Sequence, residues 1–133
     1  IMTRGERVIA VSHFVAEHMK EHYAINPSAI SVIHRGVDLR QFQPSHVHPE
    51  RIIELARAWA VPDDLPLILF PGRITRWKGQ DVFIEALAKM PHRHFMALIV
   101  GDDSGHEEYR QQLEQLVMTR GLEGHVRFVG STP

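Results

Sequence analysis

Two cations between glycines carry the clearest chemistry in these 133 residues, Arg73 and Lys78 in the run from Phe70-Pro71-Gly72-Arg73 to Trp77-Lys78-Gly79. A guanidinium grips phosphate oxygens with a planar fork and an ammonium is a mobile point charge, so the pair suits a diphosphate better than a lone carboxylate. Gly72 and Gly79 would let backbone approach such an anion closely. The spacing is not that of a nucleoside-triphosphate P-loop, because Gly79 and Gln80 follow Lys78 where a Ser or Thr would hold magnesium. On spacing alone, two solvated cations in a surface turn fit the same residues.

The flanking elements decide what the loop can reach. Leu67-Ile68-Leu69-Phe70 is apolar without alternation, the pattern of a strand buried on both faces of a parallel sheet. After Gly79, the residues Val82, Phe83, Ala86, Leu87 and Met90 recur at helical intervals and predict an inward face. A loop between such a strand and helix sits where open α/β sheets bind anions, with the helix N-terminus aimed at the same place. Two more units follow. Phe95 to Val100 predicts a buried strand ending at Gly101-Asp102-Asp103, where Asp102 reads as a turn former or helix cap. Gly105 to Gly121 predicts a helix with Tyr109, Leu113, Leu116 and Val117 on one face and Gly121 as its C-cap, and Val126 to Val129 a last strand ending at Gly130. The expected fold is α/β and Rossmann-like, with parallel strands alternating with helices. Right-handed crossovers would make the three strands neighbours, so the loops after Phe70, Val100 and Val129 would share one edge.

Upstream, Val8 to Val11 predicts a short buried strand and Ser12 caps a helix from His13 to about Tyr23. That helix contains His18-Met19-Lys20-Glu21-His22, the H-x-x-E-H spacing of inverted zinc proteases. Zinc chemistry needs a third ligand, and ten histidines make such a spacing easy to reach by chance, so the pair is read as the rim of a packed helix face and no metal site is assigned. Ile30 to Ile33 predicts a second short strand. Gln43 to Pro49 reads as linker, and Glu50 to Trp59 as an amphipathic helix with Ile52, Leu55, Ala56 and Trp59 inward.

Fifteen basic against sixteen acidic residues leave no field to gather nucleic acid, so polynucleotide partners are not expected. The lack of cysteine excludes disulfides and thiolate metal sites and is compatible with a cytoplasmic setting. No apolar run approaches the roughly 20 residues of a membrane span. A chain that starts Ile1-Met2-Thr3 and stops directly after a strand reads as a piece of something larger.

Three ordered stretches resemble the family 4 retaining glycosyltransferases of GT-B fold. Gly72-Arg73 to Lys78-Gly79 is similar to their GR…KG loop. Val8-Ile9-Ala10-Val11-Ser12, with Arg35-Gly36-Val37-Asp38 and Phe42, is similar to their VAVS strand and NGVD…F hinge, although His34-Arg35 stands where the family often has Pro-Asn. Leu98 to Asp102 and Val126 to Gly130 are similar to their L.IVG.G and V.F.G strands. The resemblance implies a middle segment, with residues 1–38 ending the acceptor-side domain and its hinge, and 39–133 forming the first half of the nucleotide-sugar-binding domain. It further implies transfer of a sugar from a UDP-, GDP- or ADP-sugar with retention, without metal or cofactor. Arg73 and Lys78 would then hold the diphosphate, and Gly72, Gly79, Gly101 and Gly130 would lie near the nucleotide. The segment alone is expected to bind nucleotide weakly and to transfer nothing. A sugar or lipid-linked acceptor, and peripheral association of the whole protein with the inner face of a membrane, belong to the same expectation. The rival readings are a non-enzymatic anion-binding α/β module and another GT-B enzyme, such as a glycogen or sucrose synthase or an epimerase.

Overall fold

The computed structural model describes residues 5–132. These form two compact units, one up to Val47 and the other from His48 onward.

In the first unit, strand β1 (Val8–Ala10) pairs in parallel with β2 (Ile30–Val32), and helix α1 (His13–His22) lies between them in the chain. Ser12 starts α1 as expected, its hydroxyl accepting the Val15 N–H at 3.1 Å. Val8, Ala10 and Ala16 are buried, whereas Ile9 and Val11 are exposed, so β1 is buried on one face and not throughout. The Asp38 carboxylate accepts the Arg40 N–H at 2.9 Å and closes the turn after the Gly36-Val37 stretch.

The second unit starts with α2 (Pro49–Ala58) and then builds a three-stranded parallel sheet from β3 (Leu67–Pro71), β4 (Met96–Val100) and β5 (Val126–Gly130). The strand order β3-β4-β5 is the expected one, with α3 (Gln80–Ala88) and α4 (Glu107–Thr119) as the crossovers. One face of the sheet packs on both helices. Ile84 and Leu87 of α3 and Tyr109, Leu113 and Val117 of α4 meet Ala97 and Ile99 there. Phe70 stacks on Phe83 with ring centres 4.8 Å apart. Burying each such side chain contributes about 1.5–3 kcal/mol, which makes this layer the main support of the loops above it. The opposite face carries a thinner layer in which Trp59, Val61 and Leu65 cover Met96, Leu98 and Val100.

Three expectations are corrected. Strand β3 is not buried on both faces, because the thin layer reaches β4 but leaves Leu67 and Leu69 40% and 50% exposed at the edge of the sheet. Helix α2 does not turn Ile52 and Leu55 inward; both are exposed, and only Ala56 and Trp59 of the expected set are partly covered. In α3 the inward face is Gln80, Ile84 and Leu87, with Phe83 and Ala88 at its margins, while Val82 and Ala86 point to solvent. The helix stops at Ala88, so Met90 lies beyond it.

Candidate functional site

The carboxyl ends of β3, β4 and β5 are stitched to one another above the sheet. Gly72 N–H donates to the Val100 carbonyl at 2.8 Å, Ile74 N–H to the Asp102 carbonyl at 2.8 Å, and Gly101 N–H to the Gly130 carbonyl at 2.8 Å. Ladder bonding thus continues past the strands into the loops and brings Gly72, Arg73, Gly101 and Gly130 to one edge. At the β5 end, Ile99 pairs with Phe128 but Val100 with Gly130, so Val129 is the extra residue of a bulge that turns the strand end.

The crossing at Gly101 is the tightest point. A Cβ on Gly101 would stand 2.0 Å from the Gly72 carbonyl oxygen and 3.0 Å from the Arg73 nitrogen. Only a residue without a side chain lets the basic loop lie across β4. The family resemblance implies a place for Gly101 near a nucleotide, but its first duty in the fold is to admit Gly72-Arg73. Gly79 has a different cause: at φ 77° it joins the tight turn Arg76–Lys78 to α3 in the left-handed region, with open space where a side chain would stand.

Arg73 and Lys78 are both exposed, and among the described residues neither takes part in a salt bridge. The Lys78 stem runs past Gly72, its Cδ lying 3.9 Å from where a Gly72 Cβ would be, so the two cations rise from neighbouring points of one loop. The Lys78 ammonium rests over the exposed Trp77 ring, 4.2 Å from its centre. A third loop cation, Arg76, is occupied elsewhere: its guanidinium lies over the Tyr109 ring at 4.8 Å and donates to Gln112 at 2.6 Å. It pins the loop to α4 and leaves the free charge to Arg73 and Lys78.

Asp102 forms the expected turn, its carboxylate accepting the Ser104 hydroxyl at 2.6 Å and the Ser104 N–H at 3.3 Å. The Ser104 hydroxyl, the Ser104 and Asp103 amides and the nearby Arg73 charge hold its pKa below the ordinary aspartate value. A depressed folded-state pKa stabilises the fold above the unfolded aspartate pKa, and that contribution disappears as pH falls through the lower value. Ser104→Ala removes the leading cause. The Asp102 carboxyl should then titrate at higher pH in a carbon-detected NMR titration, with the acid limb of stability moving the same way. An unmoved titration would assign the shift to Arg73 or the backbone.

From α4, Arg110 stacks its guanidinium 4.0 Å from the ring centre of Phe128 on β5 and pairs with Glu114 at 2.8 Å and Asp103 at 3.4 Å. A concavity of about 330 Å³ lies between Arg76 and the start of α4, lined by Gly105, His106, Glu107, Glu108 and Tyr109. Neither Arg73 nor Lys78 lines it. The His18–His22 pair of the H-x-x-E-H spacing is exposed on α1 with stacked rings 4.2 Å apart. Among the described residues no three or more His, Cys, Asp or Glu side chains are grouped to hold a metal ion. No described helix is long and apolar enough to cross a membrane.

Chain comparisons converge on one kind of protein. The family model described as glycosyl transferases group 1 matches residues 52–133, and that of glycosyltransferase family 4 matches residues 1–41. A D-inositol 3-phosphate glycosyltransferase of Jonesia denitrificans is 32% identical over 97% of this chain, and one of a Nocardioides species 30% identical over 93%. Those alignments span 31% and 28% of the relatives' own lengths, so the chain covers only about a third of them. Among solved structures, a glycosyltransferase from Rickettsia africae superposes with a TM-score of 0.91 at 39% identity, over 99% of this chain and 35% of that one. Anabaena Alr3699/HepE in complex with UDP and glucose superposes at 0.82 with 28% identity, over 97% of this chain and 34% of that one.

Proposed function

Because this chain belongs to the group 1 glycosyl transferases, and its α/β units to their GT-B fold, we propose that the whole protein moves a sugar from a nucleotide diphosphate sugar to an acceptor. Residues 1–38 would close the acceptor-side domain and its hinge, and 39–133 would form the first half of the donor-binding domain. The observation that carries the reading is the basic loop: two cations outside any described salt bridge, rising from one loop at the shared edge of three parallel strands. Anabaena HepE, similar over the same span, binds UDP and glucose, so a UDP-sugar is the first donor to test.

In the proposed reaction the bond between the anomeric carbon and the diphosphate breaks, and the electron pair stays on the departing phosphate oxygen. Negative charge grows there as it leaves. Arg73 and Lys78 are placed to meet that charge with a fixed fork and a mobile ammonium, and two such cations can stand in for the metal ion that other transferases use. We therefore assign metal independence, retention of configuration and a hexose donor to the same proposal, with the acceptor a sugar or a lipid-linked sugar, the last implying a cytoplasmic, membrane-peripheral enzyme. The 133-residue segment should transfer nothing by itself, since about two thirds of each relative's length lies outside it.

The test is calorimetric titration of the whole protein and of this segment with UDP, GDP and ADP in the presence of a chelator. Binding of one nucleotide to the whole protein, with affinity unchanged by chelator, supports the donor site and metal independence together. Binding that disappears with chelator sinks metal independence, and absence of binding to any of the three sinks the donor site.

A further inference from the structure

Gln80 breaks the pattern of the helix it opens. Its side chain is completely buried, at the head of the α3 face that continues with Ile84 and Leu87. Its amide nitrogen donates to the Arg73 carbonyl at 2.9 Å, while its amide oxygen, like the Thr75 hydroxyl, is buried with no hydrogen-bond partner among the described residues. A polar group in such a place is unfavourable unless it is fully paired, and a Met or Leu would fill the same volume with no orphan atom. What the amide does achieve is local: it grips the loop that carries the cations.

The grip closes a frame around Arg73. From the β4 side, Val100 and Asp102 accept the N–H groups of Gly72 and Ile74, and from the α3 side Gln80 takes the Arg73 carbonyl. The peptide unit that follows the Arg73 Cα is thereby held at both ends, its carbonyl by Gln80 and its N–H by Asp102, and the Gly72 N–H anchors the chain just before it, so the direction in which the side chain leaves the loop is set before any anion arrives. We infer that Gln80 is a positioning residue for Arg73, preorganising the guanidinium toward the diphosphate of the donor. This rests on the proposed role of Arg73, and it adds a residue that no spacing in the basic loop discloses. Preorganised charge is effective because nothing has to reorient as the leaving group charges, and small misplacements of such groups cost rate steeply.

A double-mutant cycle in the whole protein tests it, using the parent, Gln80→Met, Arg73→Ala and the double variant, with UDP titration, steady-state transfer and a thermal midpoint for each. Gln80→Met should weaken UDP about tenfold and lower kcat in the parent, yet change neither in the Arg73→Ala background. Gln80→Leu, which loses the same hydrogen bond with a different shape, should give the same cycle. A loss of equal size in both backgrounds means a structural role only and overturns the inference, as does unchanged UDP binding and kcat in either Gln80 variant with the fold intact. Unchanged UDP affinity in Arg73→Ala is a separate result that overturns the diphosphate reading itself.

Discussion

Gly101→Ala should cost about 3 kcal/mol or more of folding stability and abolish measurable UDP binding by the whole protein. The added methyl would sit 2.0 Å from the Gly72 carbonyl oxygen and 2.6 Å from its carbon, and both are backbone atoms that no rotamer change can move aside. Relief requires the basic loop to lift from β4. That would stretch the Gly72–Val100 and Ile74–Asp102 hydrogen bonds and tilt Arg73 away from the strand ends together. The loss should therefore appear in both readouts, unlike a distant core truncation that lowers stability and spares affinity. Gly124→Ala is the control, since nothing lies within 4 Å of its Cβ position, and a change within about 0.5 kcal/mol is expected there. Urea unfolding followed by circular dichroism, with UDP titration alongside, gives both quantities. If Gly101→Ala unfolds and binds like Gly124→Ala, the close crossing is not a constraint on this fold.

The contrast between Gly101 and the basic loop shows what was legible in the sequence. Strand order, the Ser12 cap, the Gly121 end of α4 and the sharing of one edge by three loops all follow from periodicity and punctuation, which are local and cheap to read. The crossing over Gly101 depends on two segments about thirty residues apart meeting at backbone distance, and no local pattern encodes that. The phase of α3 was ambiguous for a physical reason. Val82 to Ala88 is apolar on nearly every side of the helix, with Glu85 the exception, so the expected stripe shares Phe83 and Leu87 with the buried face but also takes in Val82 and Ala86, which face solvent. Gln80 was invisible because a glutamine beside a loop looks like surface until its burial is measured. Leu67 and Leu69 misled in the opposite sense. An apolar strand predicts two covered faces, whereas the covering layer of Trp59, Val61 and Leu65 lies over β4, with Val129 and Arg127 of β5 against it, and stops short of β3. The Val129 bulge and the occupation of Arg76 by Tyr109 and Gln112 are likewise products of tertiary meeting.

Arg73→Ala should lower kcat/KM for sugar transfer by about a hundredfold to a thousandfold, and Lys78→Ala by somewhat less, with the fold undisturbed in both. Both side chains are exposed, so truncation opens no core cavity and leaves no buried partner unsatisfied. Their difference in size follows from geometry. Arg73 leaves a loop held on both sides and presents a planar fork, so it is oriented before substrate arrives; Lys78 rests on the Trp77 ring and must move to reach an anion. Arg73→Lys keeps the charge and loses the fork. It should retain UDP binding within about tenfold while recovering little of kcat, because the second phosphate contact matters most as charge develops. Lys78→Arg should be milder than Lys78→Ala in both quantities, since its task is charge alone. Raising ionic strength should weaken UDP binding in the parent more than in either alanine variant, as screening acts on the interactions that those variants lack. Steady-state kinetics and calorimetry on the whole protein read all four variants. Two alanine variants with parental kcat/KM would mean that the loop cations are solvated surface charges, and the leaving group would have to be met by groups outside these 133 residues.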